Sequence, residues 1–158
     1  MAYTIEILPD SKADLDAVGQ LIYDSIHALA GTHYSPEQLN AWAPNPYAGE
    51  RARKRFGDQL FFIASDDDGI AALMTLTPEH HLDFAYAHPR SAGKGAAAQA
   101  YSSLETYARG QNINAITSDV SLVARPFFEK RGYKTLAKQH PIANGVALIN
   151  FKMRKEFS

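Results

Sequence analysis

The spacing of hydrophobic and polar positions changes several times along the chain, which predicts a mixture of helices and strands. Residues 3–8 alternate and are rich in β-branched side chains, which predicts a first strand. Hydrophobic residues then recur three or four positions apart up to Gly31, which predicts a first helix with one buried face. We expect Ser11 to cap this helix, with Asp14 at the reciprocal position of a capping box. Its buried positions would be Leu15, Val18, Ile22, Ile26 and Leu29.

A second helix begins with a clear start signal at residues 35–38, Ser-Pro-Glu-Gln. This order places serine at the N-cap, proline at the first helical position and glutamine at the reciprocal capping position. The helix is short, because it continues through Ala43 and is broken by Pro44 and Pro46. A further helical turn or two is expected over residues 48–57.

From Leu60 onward the pattern is mainly that of strands. A hairpin is predicted around Asp67-Asp68-Gly69, because Asp-Gly supplies the positive φ that a tight turn needs. One mixed α/β sheet with helices on its faces is the simplest architecture for this order of elements. The later elements are a strand from Leu82, a helix ending near Gly110, strands over 115–120, 134–139 and 146–153, a helix over 123–131 closed by Gly132, and a turn at Asn144-Gly145 that joins the last two strands.

Composition narrows the function classes. A chain of 158 residues is expected to form one domain, 1–158, with its own core. Sixteen basic and 17 acidic residues give a net charge of −1, which does not favour binding to nucleic acid or to a membrane. The absence of cysteine excludes a thiolate nucleophile and a zinc-thiolate site. Without an apolar run long enough to span a bilayer or a signal-peptide pattern, we expect a cytoplasmic protein.

The stretch 82–108 carries the strongest chemical signal. It predicts a strand, a glycine-containing turn and a helix that opens on small residues. Backbone N–H groups at a helix N-terminus lack intrahelical partners, and the helix dipole favours negative charge there. Gly93 and Gly95 have no Cβ, so a phosphate can approach the main chain closely. The sequence therefore predicts a site for a phosphate-containing cofactor at this turn.

The run from His88-Pro89 into residues 93–97, Gly-Lys-Gly-Ala-Ala, resembles the GNAT acyltransferases. Residues 124–133, Ala-Arg-Pro-Phe-Phe-Glu-Lys-Arg-Gly-Tyr, are similar to that family's late A-x-x-F-[YF]-E-K-x-G-[FY] segment. The resemblance extends over residues 60–153. It implies an α/β fold with a GNAT-like mixed, mostly antiparallel central sheet of six to seven strands, flanked by helices.

The resemblance also implies a function, namely transfer of an acetyl group from acetyl-coenzyme A to a primary amine of a small acceptor. Direct transfer in a ternary complex needs no covalent intermediate, which agrees with the missing cysteine. Homodimers are common in the family and are expected here. The alternative is a non-catalytic acyl-coenzyme A-binding regulatory module. The cofactor-binding residues implied by the resemblance are Ala85, Tyr86, Ala87, Ala92, Gly93, Lys94, Gly95, Ala96, Ala97, Ala124, Phe127 and Phe128.

Three positions depart from the family pattern. Ala92 stands where the family commonly has glutamine or arginine, although an alignment shifted to begin at Arg90 restores the arginine. Phe128 stands where many members have a tyrosine that protonates the leaving thiolate, and phenylalanine cannot donate a proton. Ser121 stands where others have an asparagine that contacts the pantetheine.

The transfer needs a base for the amine and a proton for the thiolate. Asp83 or Asp119 is the expected base, directly or through water, and solvated surface carboxylates are the alternative for both. Strand alternation places Asp83 on the same face as Ala85 and Ala87. Tyr133 or Ser121 could supply the proton, or the thiolate, with a pKa of about 8.5, could leave unassisted.

The acceptor side is expected to use an aromatic wall of Tyr34 and Trp42, with Tyr47 nearby, which would suit a small cationic amine. The alternative is that Trp42 simply seals the core beneath a short helix. No metal site is expected, because the chain has no H-x-x-x-H pair and His80 and His81 would point to opposite faces of an extended segment.

Overall fold

A seven-stranded sheet with helices on both faces forms the centre of the protein, in a computed structural model that describes residues 2–157. The strands are β1 (Thr4–Pro9), β2 (Leu60–Asp66), β3 (Gly69–Leu76), β4 (His81–Ala87), β5 (Ala115–Ser121), β6 (Lys134–Gln139), β7 (Ile142–Ala143), β8 (Val146–Ala147) and β9 (Asn150–Glu156). The helices are α1 (Leu15–Leu29), α2 (Pro36–Trp42), α3 (Gly49–Phe56), α4 (Ala96–Gly110) and α5 (Arg125–Lys130).

The sheet has the strand order β1-β2-β3-β4-β5-β9-β6, and β7 pairs with β8 in a separate hairpin. Within the described residues, β4 and β5 run parallel and the other neighbouring strands run antiparallel. The predicted α/β fold with a mostly antiparallel sheet is confirmed. No helix within residues 2–157 is both long enough and apolar enough to span a membrane.

Strand alternation divides the core into two layers. Phe62 and Met74 face α4, where they pack with Leu104. Phe61 and Leu73, one residue out of phase with them, face the layer formed by α1, α2 and α3. This alternation is the one expected for strands that are covered on both faces.

The cap of α1 differs from the expectation. Asp14, and not Ser11, is the N-cap, because its carboxylate accepts a hydrogen bond from the backbone N–H of Ala17 (3.1 Å). The N–H groups of Lys12 and Ala13 bond instead to the carbonyl of Pro9 (3.0 and 3.2 Å). This turn occupies the segment after β1 and delays the start of the helix until Leu15.

The start of α2 is as predicted, with a complete capping box between Ser35 and Gln38. The turn at Asn144-Gly145 also forms, with φ values of 47° and 80°, but it closes the short β7–β8 hairpin and does not join β6 to the last strand. The Asn144 amide donates to the carbonyl of Ala41 (2.7 Å), which ties this hairpin to α2. The hairpin therefore packs against α2.

A bulge in β4 changes which face its side chains occupy. The pairing of β3 with β4 shifts by one residue between Met74 and Leu76, and the Phe84 N–H donates to the buried Thr75 hydroxyl (3.0 Å). As a result Leu82 and Ala85, three residues apart, both pack on the α4 side. Asp83 turns with Phe84 towards α3, so the expectation that it shares a face with Ala85 is wrong.

Gly19 in the middle of α1 lets this helix touch the segment that carries Tyr47. A Cβ added at Gly19 would lie 1.9 Å from the Tyr47 carbonyl oxygen. Since backbone must move to relieve that overlap, Gly19→Ala is expected to lower the free energy of unfolding by about 2–3 kcal/mol, despite alanine's better helix propensity. Urea unfolding measures this loss. Gly110→Ala is the matched control, because a Cβ there meets nothing within 4 Å; equal stabilities of the two variants would contradict the close contact.

Candidate active site

Two adjacent cavities lie along the gap between β4 and β5. The strands share only the pairs His81↔Thr117 and Leu82↔Ser118, and the Ser118 hydroxyl donates to the Leu82 carbonyl (2.7 Å). Beyond Leu82 the strands separate. A cavity of about 320 Å³ opens towards α1, α2 and α3, and a mainly apolar cavity of about 170 Å³ reaches Ala97 in the first turn of α4. Both cavities are lined by Ile26, Trp42, Ala85, Tyr86, Ser121, Ala124 and Phe128.

The glycine turn presents open main chain beside the smaller cavity. Gly93 and Gly95 have φ values of 75° and 90°, and a Cβ at either would meet nothing within 4 Å. The Lys94 N–H is used within the turn, where it donates to the Ser91 carbonyl (3.0 Å). The Gln99 N–H donates to the Gly95 carbonyl (3.1 Å), so the N–H groups of residues 96–98 precede the first hydrogen bond of the helix. This geometry suits an anion.

Arg90 anchors this turn and is engaged within the protein. Its guanidinium makes two hydrogen bonds to the Asp66 carboxylate (2.8 and 3.3 Å) and one to the Ile70 carbonyl (3.1 Å). Hydrogen bonding to Arg90 lowers the pKa of Asp66 below its usual value. The shifted alignment that begins at Arg90 therefore does not place a free arginine at the phosphate position. Ala92, which stands at the family's glutamine or arginine position, carries no such side chain.

Asp83 and Asp119 both line the larger cavity, but their surroundings differ. Arg55 makes a two-point contact with the Asp83 carboxylate (2.6 and 3.2 Å), and Gln59 donates a third hydrogen bond (2.8 Å). Burial opposes ionisation of Asp83, yet the hydrogen bonds and charge of Arg55 outweigh it and lower the pKa of this carboxyl. Asp83 is thus a neutralised partner of Arg55 and a weak base.

The Asp119 carboxylate is more exposed than that of Asp83 and accepts fewer hydrogen bonds. One of its oxygens accepts a hydrogen bond from the Gln139 amide (2.9 Å), and the other lies 3.5 Å from Nε2 of His81. The His81 ring is held at its other nitrogen by the Thr117 hydroxyl (2.8 Å). The Asp119 side chain is 49% exposed, so water has access to it. Of the two predicted bases, Asp119 is the one that pairs with no arginine within residues 2–157.

The predicted proton donors are placed less favourably. Tyr133 is buried against α4, where its hydroxyl accepts a hydrogen bond from Tyr101 (3.0 Å), and it lines neither cavity. Burial raises the pKa of Tyr133 to about 12. Ser121 lines both cavities, and its hydroxyl accepts the Ala124 N–H (3.1 Å). This placement of Tyr133 argues against a role in proton transfer.

Tyr86, assigned from the sequence only to cofactor contact, carries a hydroxyl that sequence reasoning missed. No residue within 2–157 forms a hydrogen bond to it, although its ring lines both cavities. Burial, reinforced by the charge of Asp83, raises the pKa of Tyr86. The side chain therefore stays protonated at neutral pH.

The residues predicted to form an aromatic wall, Tyr34, Trp42 and Tyr47, all line the larger cavity. Tyr34 and Trp42 line the larger cavity with their rings in edge contact at 5.2 Å. The Tyr34 hydroxyl donates to the Ile149 carbonyl (2.5 Å) and accepts the Leu122 N–H (3.0 Å), so it links the end of β5 to the segment before β9. Arg51 and Arg55 of α3 also line this cavity and were not predicted. Their four-residue spacing in a basic run was the available sequence signal.

No group of three or more metal-ligating side chains comes together within residues 2–157.

The pairing of Arg55 with Asp83 predicts a pH-dependent stability. Arg55→Met leaves a mostly buried carboxylate without its cation, at an expected cost of about 1–2 kcal/mol at neutral pH after allowing for the 39% exposure of Arg55. Because the folded pKa of Asp83 is lowered, this contribution is present above its unfolded pKa of about 3.9 and is lost as the pH falls through the folded value. Urea unfolding across this pH range measures the difference between the two proteins.

Lys54→Met is the matched control, since Lys54 lies on the same helix, is exposed and forms no ion pair in the described part of the chain. A loss that stays constant with pH would instead assign the effect of Arg55 to its stacking on the Phe84 ring, 4.4 Å away.

Comparison with known proteins assigns the family. The model of the acetyltransferase (GNAT) domain matches residues 31–156. The uncharacterized N-acetyltransferase YafP of Escherichia coli K12 is 25% identical over 150 residues, which are 95% of each chain. A GCN5-related N-acetyltransferase from Rhodopseudomonas palustris superposes with a TM-score of 0.89 at 27% identity, over 99% of this chain and 97% of that one. The PaiA N-acetyltransferase of Thermoplasma acidophilum, solved with coenzyme A, superposes with a TM-score of 0.70 at 20% identity, over 98% and 99% of the two chains. Because the domain model matches well over half of its length, the chain belongs to the GNAT family of acetyltransferases.

Proposed function

We propose that this protein transfers the acetyl group of acetyl-coenzyme A directly to the primary amine of a small acceptor bound in the same complex. The observation that carries the proposal is the path formed by two adjacent cavities at the gap between β4 and β5, from Ala97 in the first turn of α4 to the cavity lined by Asp83 and Asp119. The PaiA structure, which has the same fold, contains coenzyme A and supports this choice of co-substrate. Such a path lets two substrates meet, and their juxtaposition supplies a large part of the rate.

The cofactor is proposed to enter from the glycine turn. Its diphosphate binds the open main chain of residues 93–97 and the N-terminus of α4. The pantetheine arm follows the smaller cavity, whose lining is mainly apolar, past Ala87, Ala124 and Phe127. The thioester then lies at the junction of the two cavities, where main-chain groups of residues 84–87 can bind its carbonyl oxygen.

Asp119 is proposed as the base. The amine must lose a proton before its nitrogen attacks the thioester carbon, and Asp119 takes that proton directly or through water. The new N–C bond forms as the C–S bond breaks. Gln139 and His81 hold the Asp119 carboxylate in place. Asp83 is less suited to this step, since its charge is already matched by Arg55.

Tyr86 is proposed to give the proton to the departing thiolate. Phe128 lines the junction but has no proton to donate, whereas the Tyr86 hydroxyl belongs to a side chain that lines both cavities. A tyrosine hydroxyl is protonated at neutral pH, so it can donate to the thiolate as that forms. A thiolate is a fair leaving group without help, so the acid contributes less than the base.

The cofactor placement predicts that Gly95→Glu abolishes coenzyme A binding. The new side chain forces a residue with φ of 90° into strained backbone and puts a carboxylate beside the diphosphate. Calorimetric titration with coenzyme A measures the loss. Gly145→Glu is the matched control, because Gly145 has a similar φ of 80° and lies at the β7–β8 turn. Unchanged affinity in Gly95→Glu, or an equal loss in Gly145→Glu, would contradict the placement.

The assigned roles predict different losses in turnover. Asp119→Asn is expected to lower kcat about 100-fold and Tyr86→Phe about tenfold, with little change in KM for acetyl-coenzyme A. Release of free thiol from acetyl-coenzyme A in the presence of an amine panel measures both. A larger loss for Tyr133→Phe than for Tyr86→Phe would restore Tyr133 as the acid. Tight coenzyme A binding without thiol release for any amine would instead indicate a non-catalytic acyl-coenzyme A-binding module.

A further inference from the structure

Helix α3 concentrates positive charge at the mouth of the larger cavity. Its eight residues, 49–56, contain three arginines and one lysine against one glutamate, in a chain whose net charge is −1. Two of these arginines, Arg51 and Arg55, line the cavity one helical turn apart. One side of the cavity is therefore positively charged. The sequence analysis, which predicted a cationic acceptor, did not take this charge into account.

The two arginines are not equivalent. Arg55 is neutralised by Asp83 through two hydrogen bonds. Arg51 forms no ion pair with any carboxylate in the described chain. Its guanidinium lies over the Tyr47 ring, 5.0 Å from the centroid, and 3.5 Å from the Pro46 carbonyl oxygen. These contacts hold the side chain at the cavity but leave its charge unmatched.

The two acidic side chains of the cavity have unequal charge balance as well. Asp83 belongs to the pair with Arg55, while Asp119 on β5 is bound by the neutral Gln139 amide and lies 3.5 Å from His81. Because the charges of Arg55 and Asp83 cancel, the cavity is left with one cation, Arg51 on α3, and one anion, Asp119 on β5. A ligand that matches both carries an amine and an acid on the same small molecule.

We propose that the acceptor amine carries a second, anionic group, a carboxylate or a phosphate, and that Arg51 binds this group while the amine faces Asp119. This inference rests on the proposed acetyl transfer and specifies its substrate class. Arginine suits the role because its planar guanidinium makes paired, charge-assisted hydrogen bonds with both kinds of oxyanion. A purely cationic amine would meet the unmatched charge of Arg51 and lose the attraction of Asp83, which Arg55 cancels.

Four amines of similar length test the proposal: propylamine, 1,3-diaminopropane, 3-aminopropanoate and 2-aminoethyl phosphate. With acetyl-coenzyme A as donor, at least one of the two anionic amines is expected to exceed propylamine about tenfold in kcat/KM, and the diamine should be poorest. The two anionic arms distinguish a carboxylate site from a phosphate site. In Arg51→Gln the advantage of the anionic amine should fall to about twofold or less, with the KM for acetyl-coenzyme A unchanged.

Arg53→Gln is the matched control, because Arg53 lies on the same helix but does not line the cavity. It should keep the anionic preference, so an equal loss in this variant would assign the effect to the general charge of α3 and overturn the role of Arg51. A preference for the diamine, or an anionic preference that survives Arg51→Gln, would overturn the inference while leaving acetyl transfer intact. No turnover of any amine by a protein that binds coenzyme A would overturn the proposed transfer and this inference together.

Discussion

Hydrogen bonding between β4 and β5 stops after Leu82 and Ser118, and the remainder of the site depends on this divergence. The bulge opposite Thr75 changes the face of β4 on which Asp83 and Phe84 lie. The Ser118 hydroxyl donates to the Leu82 carbonyl, which is the last carbonyl group before the gap. Because the two strands are parallel neighbours in the middle of the sheet, their separation opens a slot through the centre of the fold. Within residues 2–157, the backbone groups of β4 that face this slot beyond Leu82 have no partner on β5 and are available to a bound molecule.

The slot joins two regions with different chemistry. One is a mainly apolar cavity, lined by alanines and by larger side chains such as Phe127 and Phe128, that reaches Ala97 in the first turn of α4. In the other, α3 contributes arginines, β4 and β5 contribute one aspartate each, and residues 34–47 contribute aromatic rings. Under the proposed function, the first region would bind the part common to every acyl-coenzyme A and the second would bind the acceptor.

Local sequence signals predicted the structural features, such as helix caps and turns, that depend on a few neighbouring residues. The Ser35–Gln38 capping box and the positive φ at Gly69 in the Asp-Gly turn follow from residue type and short spacing, and both are present. The cap of α1 was misplaced by three residues, since Ser11 and Asp14 are both good caps and the preceding turn at Pro9 decides between them. Residue type alone does not decide between them, because serine and aspartate are both favoured at the N-cap of a helix.

Features that depend on distant contacts were not predictable in this way. The face of Asp83 was assigned wrongly because the bulge arises from a side-chain hydroxyl on the neighbouring strand. Its partner Arg55 is 28 residues away, and Arg90 reaches back 24 residues to Asp66. These ion pairs decide which charges in the cavity remain unmatched, and sequence spacing gave no indication of them.

The most direct measurement is a crystal structure of the protein with acetyl-coenzyme A. The account predicts the pantetheine arm between β4 and β5, with the diphosphate on residues 93–97 and the acetyl group beside Tyr86. Coenzyme A bound elsewhere, or β4 and β5 paired along their whole length with the slot closed, would contradict it.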